Sequence, residues 1–219
     1  MQWELFDPDE DVRITAGRLP HWFQPGRMYF VTFRTNDSLP AAFAKLWWRR
    51  RNDWLCRQGI DPGSPAWSIQ FAALPAALRR QYHSEFTEVI LERLDLGYGE
   101  CVLERPSLRQ FVVEGLFYFH EQRYVLTDFV VMPNHVHLLV GLLGTTDILA
   151  QCESWKKNMA LRINRALERR GRFWHEESFD HLVRSVEHFE HLRRYIADNP
   201  HKAGLQPDEY HHWQDSQTE

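Results

Sequence analysis

Two histidines one residue apart, His135 and His137, lie inside the apolar run VVMPNHVHLLV at residues 130–140. In an extended strand alternate side chains share a face, so both imidazoles point one way and Val136 the other. Two imidazoles on one face can share a metal ion, or they can form a hydrogen-bonded or exposed pair, and the spacing alone leaves both open. A third ligand would decide. The segment HLRRYIADNP, residues 191–200, offers one: Tyr195 and Asn199 are four apart, which puts a phenol and a carboxamide on adjacent turns of one helix face. Alone, each has a plain explanation, packing for Tyr195 and capping before Pro200 for Asn199. Taken with the histidines, the set becomes metal ligands His135, His137 and Asn199, with Tyr195 as a nucleophile one turn away. A mixed nitrogen and oxygen site with an open position suits magnesium or manganese, and the two imidazoles lean toward manganese or even zinc in a tube.

These residues need a strand and a helix to carry them. RYVLTDFVVM and HVHLLVGLL are strand-like on either side of Pro133-Asn134, a tight hairpin turn, so His135 begins the second arm. An earlier strand is expected in RMYFVTFRT, residues 27–35, and apolar spacing predicts helices in LPAAFAKLWWRRRNDWL and from Leu74 to Leu94. Pro106 or Ser107 opens another helix. A long helix from Thr146 is ended by Gly171, the piece RFWHEESFD connects, and a final helix runs from about Ser185 to Asn199, stopped by Pro200. The order strand, helices, hairpin, helix, helix predicts an α+β fold, simplest as a ferredoxin-like antiparallel sheet with helices mainly on one face.

With 219 residues and 43% apolar content, a single domain with a real core is expected. No run approaches a bilayer-spanning length and the N-terminus is acidic where a secretory signal would be basic, so a cytoplasmic protein without membrane attachment is expected. Cys56, Cys101 and Cys152 are scattered and read as plain buried thiols. The net charge of -4 argues mildly against bulk coating of nucleic acid. The charge is unevenly spread, however: residues 156–172 carry Lys156, Lys157, Arg162, Arg165, Arg169, Arg170 and Arg172 against Glu168 alone. Such a run is commonly a solvated helix face. Trp155, Trp174 and the WWRRR stretch at 47–51 can fill a core or stack on unpaired bases.

MPNHVHLL resembles the histidine-hydrophobic-histidine motif of the HUH endonucleases. YIADNPHKAGL, with GRFWHEESFDHLVR before it, resembles the tyrosine helix of REP-associated tyrosine transposases, relatives of the single-tyrosine insertion-sequence transposases. The resemblance covers the strand at Met28 to Arg34, the helix after Pro106, and Arg123 to Leu205. The stretch at about 39–105 departs from it as a helical insertion within a single domain spanning 1–219, and His201 stands where an aliphatic residue is expected. The resemblance implies a ferredoxin-like core and a reaction on single-stranded DNA, at hairpin-forming repeats. Tyr195 would attack phosphorus in line, leaving a 5'-phosphotyrosyl bond and a free 3'-hydroxyl, while the ion offsets charge on the phosphate oxygens. Lys202 or Arg194 would assist the phenol. With DNA in view, Lys156, Lys157, Arg162, Arg165 and Lys202 become candidate phosphate contacts. Insertion-sequence relatives resemble dimers that exchange tyrosine helices, and the insertion leaves monomer or homodimer open.

Two other functions compete. One is a non-catalytic structured-DNA-binding protein derived from a transposase, which would keep the fold without cutting. The other is a hydrolase whose histidine pair activates water; barrel hydrolases carry such a pair early, and the 82 residues after His137 are too few to complete one.

Overall fold

The structure, a computed structural model, describes residues 4–16 and 19–216. Its centre is a five-stranded antiparallel sheet. The strands are β3 (Met28–Arg34), β4 (Tyr124–Val131), β5 (His135–Leu142), β6 (Phe179–Leu182) and β7 (His211–Gln214), in the order β6-β3-β5-β4-β7. With helices α5 (Pro106–Phe117) between β3 and β4 and α6 (Ile148–Ala166) between β5 and β6, the four strands from β6 to β4 have the ferredoxin-like order. The α+β expectation is met. Strands β3, β4 and β5 are buried on both faces and read as near-continuous β-branched and aromatic runs.

Each face carries its own core. Val31, Phe33, Leu126, Val136 and Leu138 pack beneath Val112 and Leu116 of α5 and Trp155 and Met159 of α6. The two helices approach closely at Gly115, where a Cβ would stand 2.9 Å from the Met159 side chain. On the other face lies α7 (Val186–Lys202), whose Phe189, Leu192 and Ile196 cover Met28, Phe30, Val130 and Leu139. Burial of each of these side chains contributes roughly 1.5–3 kcal/mol and fixes which face of α7 meets the sheet.

Between β3 and α5 the chain makes α1 (Ala41–Arg57), α2 (Trp67–Ala72), α3 (Ala76–Tyr82) and α4 (Val89–Leu94), the last two joined by a π-helical turn at His83–Glu88. This segment buries Trp47, Trp54, Trp67, Tyr82, Phe86 and Leu94 in a separate apolar cluster that also takes in Leu19. In WWRRR, Trp47 is core and donates through Nε1 to the Phe86 carbonyl at 3.0 Å. Arg51 is buried as well, its Nε bonding the Tyr82 hydroxyl at 2.9 Å and its guanidinium lying 4.4 Å over Trp67. Arg49 and Arg50 face solvent.

Several boundaries differ from expectation. Helix α6 ends at Ala166, before Gly171, because Glu168 takes the left-handed conformation (φ 52°) and Arg169 N–H closes the end on the Asn164 carbonyl at 3.0 Å. Pro200 does not stop α7: the helix runs on to Lys202, losing only the N–H that proline lacks. Asn199 is therefore a helix-interior residue and caps nothing. The connecting piece after Gly171 ends in edge strand β6, and His211-His212 belong to β7, which pairs with β4. Cys56 is exposed and Cys101 partly so, leaving Cys152 as the buried thiol. Among the described residues no helix is long and apolar enough to cross a membrane.

The hairpin of β1 (Arg13–Ala16) and β2 (Pro20–Phe23) is tied to β6 by a buried charge pair. His21 Nδ1 bonds Asp180, and its Nε2 lies 3.5 Å from Glu177. Burial alone would lower the His21 pKa, but the hydrogen bonds and charges of Asp180 and Glu177 outweigh it and raise it to about 9. A histidine raised above its unfolded value of about 6.5 stabilises fully below that pH and loses its contribution as pH climbs through about 9. Burial raises the Asp180 pKa and offsets part of this gain, so His21→Gln is expected to destabilise most at pH 6 and progressively less toward pH 9.5, measured by denaturant melts at each pH. A gap that stays constant or widens with pH would exclude the charged pair.

Candidate metal and nucleophile site

The hairpin places His135 and His137 side by side on the face that α7 covers, with ring centroids 4.6 Å apart and both side chains inaccessible to solvent. Their neighbours orient the rings. The Asn134 amide nitrogen donates to the carbonyls of Leu94 (3.3 Å) and Tyr98 (2.9 Å), which leaves its oxygen to accept from His135 Nδ1 at 2.7 Å. His137 Nδ1 pairs with the Thr32 hydroxyl at 2.7 Å, a group able to donate or to accept. The Asn134 oxygen thereby holds the His135 proton on Nδ1 and leaves its Nε2 a free lone pair, and neither Nε2 has a hydrogen-bond partner. Burial lowers the pKa of His135 to about 3 and that of His137 well below its ordinary value, so both rings are neutral and able to ligate.

Helix α7 brings the other two residues. Asn199 is fully buried, and neither polar atom of its amide makes a hydrogen bond of normal geometry, although it lies near enough to Asp95, His135 and Tyr195 to affect the ionisation of each. The Tyr195 ring stands edge-on to His137 at 5.2 Å and to Phe30 at 5.8 Å, and its hydroxyl is buried without a partner. Burial first, and then the charge of Asp95, push the phenol pKa up. Lys202, one turn beyond Asn199, holds its ammonium 5.5 Å from the Tyr195 ring centroid. One chain thus supplies all four residues.

A further carboxylate is present. Asp95, just past α4 in the segment after β3, sets its Oδ1 3.7 Å from His135 Nε2, and Asp95, His135 and His137 form a cluster whose donor atoms lie within 4.8 Å of one another. Burial raises the Asp95 pKa to about 6, against the opposing pull of the Asn199 amide and Lys202. The sequence carried no local sign of Asp95, nor of Asn134 and Thr32 as the residues that orient the imidazoles. Free lone pairs and unpaired polar atoms converging in a buried spot are costly unless something completes them, and this donor set fits a divalent ion.

The other expected DNA contacts lie elsewhere. Helix α6 is on the opposite face of the sheet, so Lys156, Lys157, Arg162 and Arg165 do not join the site. Lys156 donates to the Glu176 carbonyl at 2.6 Å and Arg162 pairs with Glu114, whereas Lys157 and Arg165 are exposed. Lys156, Lys157, Arg172 and Trp174 line a cleft of about 650 Å³ beside α6. Glu176 and Glu177 line this cleft, Asp180 pairs with His21, and none of the three approaches the imidazoles.

A buried histidine pair on a central strand, faced by a tyrosine and an amide from one helix on a ferredoxin-like sheet, is the arrangement implied by the histidine-hydrophobic-histidine endonuclease resemblance. Residues 113–199 match the model of the family described as "Transposase IS200 like". The match contains all four residues and excludes β3 and the helical segment after it, so the resemblance drawn from HVH and YIADN is met on the stretch that carries them. A solved structure described as a REP-associated tyrosine transposase bound to a REP hairpin aligns with a TM-score of 0.44 and 14% identity, covering 93% of this chain and 94% of that one. No curated protein matches the chain.

Proposed function

We propose that this protein is a metal-dependent, transposase-like endonuclease and strand transferase for single-stranded DNA, acting in the cytoplasm at hairpin-forming repeats. The observation that carries this reading is the convergence of the two free His Nε2 atoms, the unpaired Asn199 amide and the unpaired Tyr195 hydroxyl in one buried spot. His135, His137 and Asn199 would hold a magnesium or manganese ion. The ion supplies positive charge that offsets the charge gathering on the phosphate oxygens. Tyr195 Oη forms a bond to phosphorus as the bond from phosphorus to the 3'-oxygen breaks; the phenol proton leaves, and the 3'-oxygen gains one to become a free hydroxyl. The ester keeps the bond energy, so the strand can be rejoined without a nucleotide cofactor. Lys202 contributes positive potential at the phenol, which its buried surroundings otherwise disfavour as an anion.

Lys157 and Arg165, with the cleft lined by Lys156, Arg172 and Trp174, would contact the phosphates of the hairpin. We read residues 1–219 as one domain with 39–105 inserted. The test is an end-labelled single strand carrying a hairpin, incubated with the protein and manganese. A denaturant-resistant adduct on the 5' phosphate side is expected, abolished by chelator. Binding without any adduct in magnesium or manganese would favour a DNA-binding descendant, and free 5'-phosphate ends without an adduct would favour water as the nucleophile.

A further inference from the structure

We propose that the helical segment between β3 and α5 is wired into the metal site through Asp95, which serves as a fourth protein ligand, so that a bound ion clamps this segment to the sheet. The inference rests on the metal-site reading above and concerns a residue outside the family match, which begins at 113.

Geometry supports it first. Two donors each about 2.1 Å from one ion stand about 3.0–4.2 Å apart, depending on whether they are adjacent or opposite. Asp95 Oδ1 is 3.7 Å from His135 Nε2, too long for a good hydrogen bond and suited to two ligands of a shared ion. The donor atoms of Asp95, His135 and His137 all lie within 4.8 Å of one another, a small contraction from a coordination sphere. Asp95 Oδ1 is also buried without a hydrogen-bond partner, as are both Nε2 atoms and the Asn199 amide. One ion would complete the Asp95 oxygen, both imidazole nitrogens and the Asn199 Oδ1 at once, leaving the Asn199 NH2, which is a donor and not a ligand.

Covalent connectivity supports it second. Leu94, the last residue of α4, is buried in the apolar cluster of the inserted segment, and its carbonyl accepts from Asn134, the residue that orients His135. Tyr98 accepts from the same amide. The backbone on both sides of Asp95 is therefore fastened to the hairpin turn, which leaves the Asp95 side chain little freedom to aim elsewhere. Chemistry supports it third. Two imidazoles, an amide oxygen and a carboxylate form a harder set than two imidazoles and an amide. The added anion favours magnesium and manganese over softer ions and still leaves positions open on an octahedral ion for phosphate oxygens.

The test uses the full chain and manganese alone, without DNA. Manganese affinity is measured by calorimetry for the wild type, Asp95→Asn and His137→Ala, and amide hydrogen exchange is followed over residues 89–99 with and without the ion. The wild type is expected to bind one ion, His137→Ala to lose binding, and Asp95→Asn to bind about tenfold or more weakly. In the wild type the ion should slow exchange over 89–99, and this protection should vanish in Asp95→Asn. Equal affinity in Asp95→Asn and wild type, with binding still lost in His137→Ala, would overturn the fourth-ligand role while sparing the metal-site reading. Tighter binding in Asp95→Asn, or faster exchange over 89–99 on adding manganese, would show Asp95 to be displaced by the ion and would likewise overturn it. No manganese binding by the wild type would instead defeat the underlying reading. The wild-type exchange measurement stands by itself if the Asn variant does not fold.

Discussion

Tyr195→Phe is expected to abolish the DNA adduct, lowering strand cleavage by at least about 10⁴-fold, while leaving the protein as stable as the wild type or up to about 1 kcal/mol more stable. The two halves of this expectation come from one atom. The phenol oxygen is the only atom removed, and without it no phosphotyrosyl ester can form. That same oxygen is buried with no hydrogen bond of normal geometry, its polar neighbour being the Asn199 amide, so the folded protein loses little when it goes and is relieved of a desolvated hydroxyl. The ring contacts at 5.2 Å to His137 and 5.8 Å to Phe30 survive in phenylalanine, so the helix stays docked. A group that costs stability and carries activity marks a functional position, whereas a purely structural tyrosine would show the opposite signs. Labelled oligonucleotide on a denaturing gel reads the first half and denaturant melts read the second. An adduct surviving in the Phe variant would remove Tyr195 as nucleophile, and a loss of more than about 2 kcal/mol would make it a packing residue.

Much of this site was legible because its spacing rules are local. A strand's two-residue period puts His135 and His137 on one face whatever the rest of the fold does, and a helix's i, i+4 period does the same for Tyr195 and Asn199. That the two pairs meet is tertiary; the spacings suggest it as a combination and the family resemblance supports it. Asp95 was not legible, because a lone carboxylate after an amphipathic helix has no periodic signature and its approach to His135 depends on how the helical segment after β3 docks. Asn134 and Thr32 were hidden for another reason: each has a sufficient local role, turn and strand, that masks the second one of orienting an imidazole. The missed elements β1, β2, β6 and β7 are four-residue strands with mixed burial, too short to show a period, and they join the sheets as edges. Pro200 has the form of a helix stop but lies within α7, where the apolar face of the helix continues to hold the chain on the sheet despite the missing hydrogen bond.

The largest stability effect is expected at Trp155, where sequence left base stacking and core packing in competition. Trp155 is 2% exposed on the sheet-facing side of α6, edge-on to Tyr124 at 4.8 Å, and its Nε1 donates to the Tyr124 hydroxyl at 2.8 Å. That hydroxyl in turn donates to the Leu116 carbonyl at 2.6 Å, so a single indole ties together α6, β4 and α5. Truncation to alanine removes the ring, leaves a cavity between two helices already held close at Gly115, and breaks the bond to Tyr124. Trp155→Ala should cost about 3–5 kcal/mol, the range for large aromatic truncations in a rigid core. Trp155→Phe, which keeps most of the ring but not the N–H donor, should cost about 1–2 kcal/mol, because Tyr124 retains its bond to Leu116. For a chain of this length the alanine variant's midpoint would fall by roughly 6–20 °C. DNA affinity of the folded fraction should be unchanged in the Phe variant, since no base can reach an indole enclosed on all sides. Urea melts and single-stranded DNA titrations of the same preparations separate the cases: an alanine variant within about 1 kcal/mol of wild type whose DNA affinity drops tenfold would return Trp155 to the binding surface.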